Sequence, residues 1–181
     1  MPATTTPMRR PTTARARTTR TTAACAAETA LQKGLATVTK TSLIVLESAV
    51  VQALLMDVVP ALTEAGGLVS LFIDPDCDQI DVARAVGAPF VELHTGSYAN
   101  QTGAAQEAEL ERLKRAAAHA QKIGLKVNAG HGLDYRNTTP IAAMEGVLEL
   151  NIGFALVSDA LTIGVDAAVR AMKSAILEAD A

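Results

Sequence analysis

Between Leu68 and the end of the chain, a short apolar run gives way four times to a polar loop and then to helical patterning. The runs are LVSLFI (68–73), PFVELH (89–94), LKVN (125–128) and LELNI (148–152), the last extended past Gly153 by Ala155 to Val157. Helical stretches follow at 79–86, 103–123, 141–146 and 164–179. Strands joined by helices in strict alternation imply parallel pairing, because a parallel neighbour needs a crossover long enough to hold a helix. The repeat averages about 28 residues, against roughly 31 in an eight-unit (β/α) barrel. The expected class is therefore α/β, a partial TIM (β/α) barrel of four units over residues 68–181. An open three-layer sheet fits the same period.

Within this repeat the stretch GLKVNAGHG (124–132) is the most informative. A buried strand runs directly into Gly130-His131-Gly132, and parallel α/β folds place their chemistry at the carboxyl ends of strands. Flanked by glycines, His131 is open to a substrate and has an imidazole that exchanges protons near neutrality. The other strand ends offer Asp74 and Asp76, then Glu92, His94 and Thr95, with Asn128 beside His131, and finally Asn151, Gly153 and Ser158. Side chains alternate along a strand, so Phe90, Glu92 and His94 share one face. A carboxylate on an otherwise apolar strand is costly unless paired, which singles out Glu92 for a site or a buried ion pair. His94 either acts directly or holds a loop by hydrogen bonding. His119, inside an alanine-rich helix, carries no expected role. Backbone N–H groups near Asn151-Ile152-Gly153-Phe154 form a candidate anion-binding turn, although no Walker loop or GxGxxG pattern is present.

Aromatic residues make up only 3% of the chain, with no Trp, so a core of Ala, Val, Leu and Ile is expected and base-stacking platforms are scarce. The net charge of -3 argues against a general nucleic-acid or membrane partner. Cys25 and Cys77 have neither CxxC nor metal-ligand spacing, and no HExxH occurs. No metal is expected.

Residues 1–27 are mostly Thr, Ala, Arg and Pro, charged only by Arg9, Arg10, Arg15, Arg17 and Arg20. Such a segment is expected to be a disordered basic tail. It has no secretory h-region; its composition suits an organellar transit segment or a start displaced into biased upstream sequence. Residues 28–67 form a poorly defined segment in which Leu43 to Leu46 is either a short strand or the opening of a helix. The helix itself is expected over 47–65, with Pro60 weakening its middle and Gly66-Gly67 ending it.

VSLFIDPD (69–76), GAPFVELHTGSYAN (87–100), GLKVNAGHGLDYRN (124–137) and LELNIG (148–153) resemble, in order and spacing, the carboxyl-terminal half of pyridoxine 5'-phosphate synthase. The resemblance covers about residues 58–181 and implies strands five to eight of that family's TIM barrel. It further implies a cytoplasmic vitamin B6 enzyme, octameric in the family, that needs no redox cofactor or metal. The implied reaction condenses 1-deoxy-D-xylulose 5-phosphate with 3-amino-2-oxopropyl phosphate to pyridoxine 5'-phosphate, phosphate and water. By this likeness His131 is a proton donor and Glu92 stabilises the transition state. Gly132, Gly153 and Phe154 contact the aminoketone phosphate, the last two through their backbone. The family's catalytic residues on strands one to three, including a His and a Glu, have no match within 1–57, and neither does the loop that closes over substrate. Phe154 stands where the family usually has His, and Asp159 near a position usually held by Arg. A truncated relic or a half-barrel assembly protein is the alternative reading.

Overall fold

The computed structural model describes residues 48–180. The expected disordered tail over 1–27 and the ambiguous run Leu43 to Leu46 lie outside the described residues. Helix α1 (Ala49–Glu64) leads to strand β1 (Ser70–Ile73), helix α2 (Cys77–Ala85) and strand β2 (Phe90–His94). A single turn, α3 (Gly96–Ala99), precedes the long helix α4 (Gly103–Lys122) and strand β3 (Lys126–Gly130). Helix α5 (Thr138–Ala142), strand β4 (Val147–Asn151), and helices α6 (Phe154–Ile163) and α7 (Val165–Leu177) complete the order, with a 3-10 turn over Glu178–Asp180.

The four strands form one parallel sheet in the order β1-β2-β3-β4. Each crossover steps one strand in the same direction, which keeps the helices on a single side when crossovers share one hand. Burial agrees. Leu71, Ile73, Val91, Leu93, Val127 and Ala129 point to the helical side and are buried with Ile80 and Ala83 of α2 and Leu113, Ala116, Ala117 and Ala120 of α4. The opposite face carries Phe72, Glu92, His94 and Asn128, and no described helix covers it. Of the two architectures compatible with the period, the three-layer sheet needs helices on both faces. A four-stranded parallel sheet covered on one face is compatible with part of a TIM-like barrel.

Local chemistry explains the element ends. Asp76 caps α2 by accepting from the Asp78 N–H at 2.8 Å. Helix α1 runs on through Pro60 because the proline is exposed, so the Met56 carbonyl it leaves without a donor can be hydrated. Helix α5 begins at Thr138, earlier than the expected 141, because Asp134 O accepts from both the N–H and the hydroxyl of Thr138. Pro140 is accommodated in its first turn, where no intrahelical donor is required.

One expectation is corrected. Ala155 to Val157 is not strand but the first turn of α6. A short apolar run carries no periodicity, so strand and helix look alike there. In β4 a register shift falls between Val127 and Asn128, whose partners are Val147 and Glu149. Leu148 is skipped and left exposed, while Glu149 turns toward Asn128.

Candidate active site

The open face of the sheet is organised in two rows. In the first, Phe72, Glu92, Asn128 and Glu149 stand side by side on the four strands. In the second, one step nearer the carboxyl ends, His94, Gly130 and Asn151 are neighbours. Gly130 is the low point of this surface. A Cβ there would lie 2.5 Å from Glu92 Oε1 and 2.9 Å from both Cβ and the carbonyl oxygen of Asn151. Only glycine lets the Glu92 carboxyl reach across β3 toward β4.

Half-burial pushes the Glu92 carboxyl above the ordinary value of 4.5, against lowering by a hydrogen bond with Asn151 and by the charge of His131. Desolvation dominates, so this group takes up a proton more readily than a surface glutamate does. Asn128 donates to Glu149 Oε2 at 3.4 Å, and its own Oδ1 is buried without a partner among the described residues.

His131 leaves the end of β3 with φ 83°, a left-handed conformation uncommon for a residue with a side chain. Thr95, fully buried, holds this turn. Its N–H donates to Gly130 O at 2.8 Å, and its hydroxyl lies 2.7 Å from Gly130 O and 2.6 Å from His131 O. The loop beyond is tied by Tyr98, whose hydroxyl donates to Asn137 O at 2.9 Å, and by Asn137 Oδ1, which accepts from the Asp134 N–H at 2.8 Å. A strained histidine on an over-determined loop is an arrangement typical of functional sites.

His94 lies behind His131. Its Nδ1 is 3.4 Å from Asp74 Oδ1, its ring centroid is 4.7 Å from that of His131, and Phe72 meets it edge-on at 5.2 Å. His94 thus faces the Asp74 carboxylate and packs against the His131 ring, and it is not among the residues that line the cleft in front of His131.

Glu92, His131, Gly132, Gly153 and Phe154 all line one open cleft of about 690 Å³. All five residues singled out from the sequence thus come together. Phe72 and Asn151 join them on its wall. Asn151 stood among the strand-end candidates without an assigned partner; Phe72 was missed, because only the pairing of β1 with β2 sets it beside Glu92. Asp76 is used as a helix cap, and His119 bonds Asp81 at 2.7 Å on the outer surface. Among the described residues no group of three or more His, Cys, Asp or Glu side chains is placed to hold a metal ion. No described helix is long and apolar enough to cross a membrane.

A parallel sheet covered on one side, with acid–base side chains and glycine turns gathered at its carboxyl ends, is compatible with part of a (β/α)-barrel framework. The chain belongs to the family described as pyridoxal phosphate biosynthesis protein PdxJ, whose family model matches residues 19–178. It is 54% identical over 121 residues to pyridoxine 5'-phosphate synthase of Pseudoalteromonas translucida, covering 66% of this chain and 50% of the relative. To the synthase of Photobacterium profundum it is 56% identical over 119 residues, 65% of this chain and 49% of the relative. The Rhodospirillum rubrum synthase is 49% identical over 121 residues, 66% and 49% respectively. The chain spans about half the length of the curated relatives it matches. The family match also reaches upstream of residue 58, where no single motif marks the resemblance.

Proposed function

We propose that this chain carries part of a pyridoxine 5'-phosphate synthase site, acting on 1-deoxy-D-xylulose 5-phosphate and 3-amino-2-oxopropyl phosphate. The observation that carries the reading is the convergence of Glu92, His131, Gly132, Gly153 and Phe154 on one cleft. In this reading β1 to β4 correspond to strands five to eight of the family barrel, and residues 68–181 form one half-barrel unit. His131 gives a proton to a leaving oxygen during dehydration and ring closure. The Glu92 carboxyl, whose hold on a proton is strengthened by its burial, stabilises charge developing on the condensing intermediate. The aminoketone phosphate lies against Gly132 and the start of α6, where the first N–H groups of the helix, including Phe154, have no intrahelical acceptors. The reading also takes the chain to be a cytoplasmic homo-oligomer requiring no cofactor.

Incubation of the full chain with both phosphorylated substrates tests this. Pyridoxine 5'-phosphate is expected, and His131→Ala is expected to abolish it. A second reading is favoured by the sheet face that no described helix covers: a non-catalytic relic or half-barrel assembly protein. Absence of product from soluble, folded protein selects that second reading.

A further inference from the structure

The cleft explains His131 but not the pair behind it. His94 is outside the cleft wall, yet it is in contact with the one histidine that lines it. Its ring centroid is 4.7 Å from that of His131, and the planes are inclined by 43°. Both rings close on the same point of α3. A Cβ on Gly96 would come within 2.7 Å of His94 Cε1 and Nε2 and 3.0 Å of His131 Cδ2. The Nε2 edge of His94 is thus turned toward α3 and the His131 ring, while its Nδ1 faces Asp74 Oδ1 at 3.4 Å. Phe72 fixes the ring plane from β1, edge-on to His94 and 6.2 Å from His131.

We propose that His94, oriented by Asp74, is a positioning residue for His131: it sets the plane of the His131 ring and shares a single proton with it. This rests on the assignment of His131 as proton donor. The carboxylate of Asp74 selects the tautomer with hydrogen on Nδ1, which leaves the Nε2 lone pair on the His131 side. Two imidazolium rings at this separation repel, so a charge on one ring disfavours a charge on the other. Among the described residues, the charged and titratable groups facing His94 are Asp74 from the end of β1 and His131 from the loop after β3, with Glu92 on its own strand. Burial and the charge of His131 hold His94 below the ordinary value of 6.5, while Asp74 acts the other way. When His131 gives its proton to a substrate oxygen, the pair is left neutral and one proton from solvent restores it, so the cycle balances. Both His94 and Asp74 are about one-fifth exposed, which gives that proton a way in outside the cleft.

Three histidines in the chain make imidazole NMR a direct test, with His119, bonded to Asp81 on the outer surface, as the internal reference. In the full chain His94 is expected to show the Nδ1–H tautomer. Its titration midpoint should rise by about half a pH unit or more in His131→Asn, and fall in Asp74→Asn, with the His119 signal unmoved. His94→Phe keeps a ring at the position and removes the proton. With turnover as readout it should lower kcat about tenfold and alter the pH profile while leaving KM nearly unchanged. An Nε2–H tautomer, or a His94 midpoint indifferent to His131→Asn, overturns the proposal, as does a His94→Phe enzyme with the parent kcat and pH profile. The titration decides whether or not the chain turns over, so a lack of product counts against the proposed function alone.

Discussion

Thr95 holds the site together at the scale of a single residue. Its hydroxyl has one hydrogen and two carbonyl acceptors, Gly130 O and His131 O, at 2.7 and 2.6 Å in a fully buried position. Thr95→Val would remove the hydroxyl donor from His131 O, while Gly130 O keeps the Thr95 N–H, and is expected to cost about 1–3 kcal/mol, measured by denaturant unfolding. Thr95→Ser should recover most of that, because the hydroxyl is restored and only a methyl group is lost. Glu92 gives a pH signature of the opposite kind. Its carboxyl is raised above 4.5 by burial, so the folded chain binds this proton more tightly than the unfolded chain does. Its contribution to stability is complete below 4.5 and is lost as pH rises through the raised value. Glu92→Gln should therefore match the parent near about pH 4 and be slightly more stable at neutral pH. The gain is under about 1 kcal/mol, since the group is half-exposed and solvent screens its charge. Thermal unfolding at the two pH values checks this, and equal differences at both would refute it. Much of the site was legible from the residues: a carboxylate in an apolar strand and a histidine between glycines are exceptions to the local pattern. The role of Gly130 was not, because what crosses over it comes from two other strands.

At the scale of elements, the strands and long helices are visible in the sequence wherever burial imposes a period. Helix α4 buries a stripe of Leu113, Ala116, Ala117 and Ala120, and the spacing of three and four residues gives it away. Helix α6 has no such stripe. None of its ten residues is buried, and Phe154 and Leu161 are 89% and 86% exposed. An apolar segment that fully buries none of its side chains among the described residues carries no one-sided pattern, which is why its first residues resemble strand. The same contrast predicts unequal sensitivity to substitution. Ile80→Ala in α2 empties a fully buried position under the sheet and should cost about 2–5 kcal/mol. Leu161→Ser in α6 should change the stability of the isolated chain by less than about 0.5 kcal/mol. Urea midpoints for the two variants check the pair, and a large loss from Leu161→Ser would mean that α6 is covered in solution.

For the whole molecule, the decisive property is the strand order, and no local pattern encodes it. The repeat of about 28 residues allows either helices on both faces or helices on one. The observed order β1-β2-β3-β4 leaves the Glu92 face uncovered by any described helix. It also leaves β1 and β4 at the margins of the sheet, each with an unpaired line of backbone donors and acceptors among the described residues. Exposed apolar side chains lie at both margins: Leu68 (81% exposed) just before β1, and Leu148 within β4 with Phe154 just after it. Paired edges and buried leucines are what parallel sheets normally have, so surfaces of this kind favour association. The expected outcome is concentration-dependent self-association, seen as a sedimentation coefficient that rises with loading concentration. Leu148→Lys places a charge at the exposed bulge of the β4 margin, where it opposes pairing without disturbing the buried side of the sheet. It should shift the distribution toward the monomer while leaving the far-ultraviolet circular dichroism unchanged. A chain that sediments as a monomer at every concentration, before and after that substitution, would mean that these margins are covered by the chain itself.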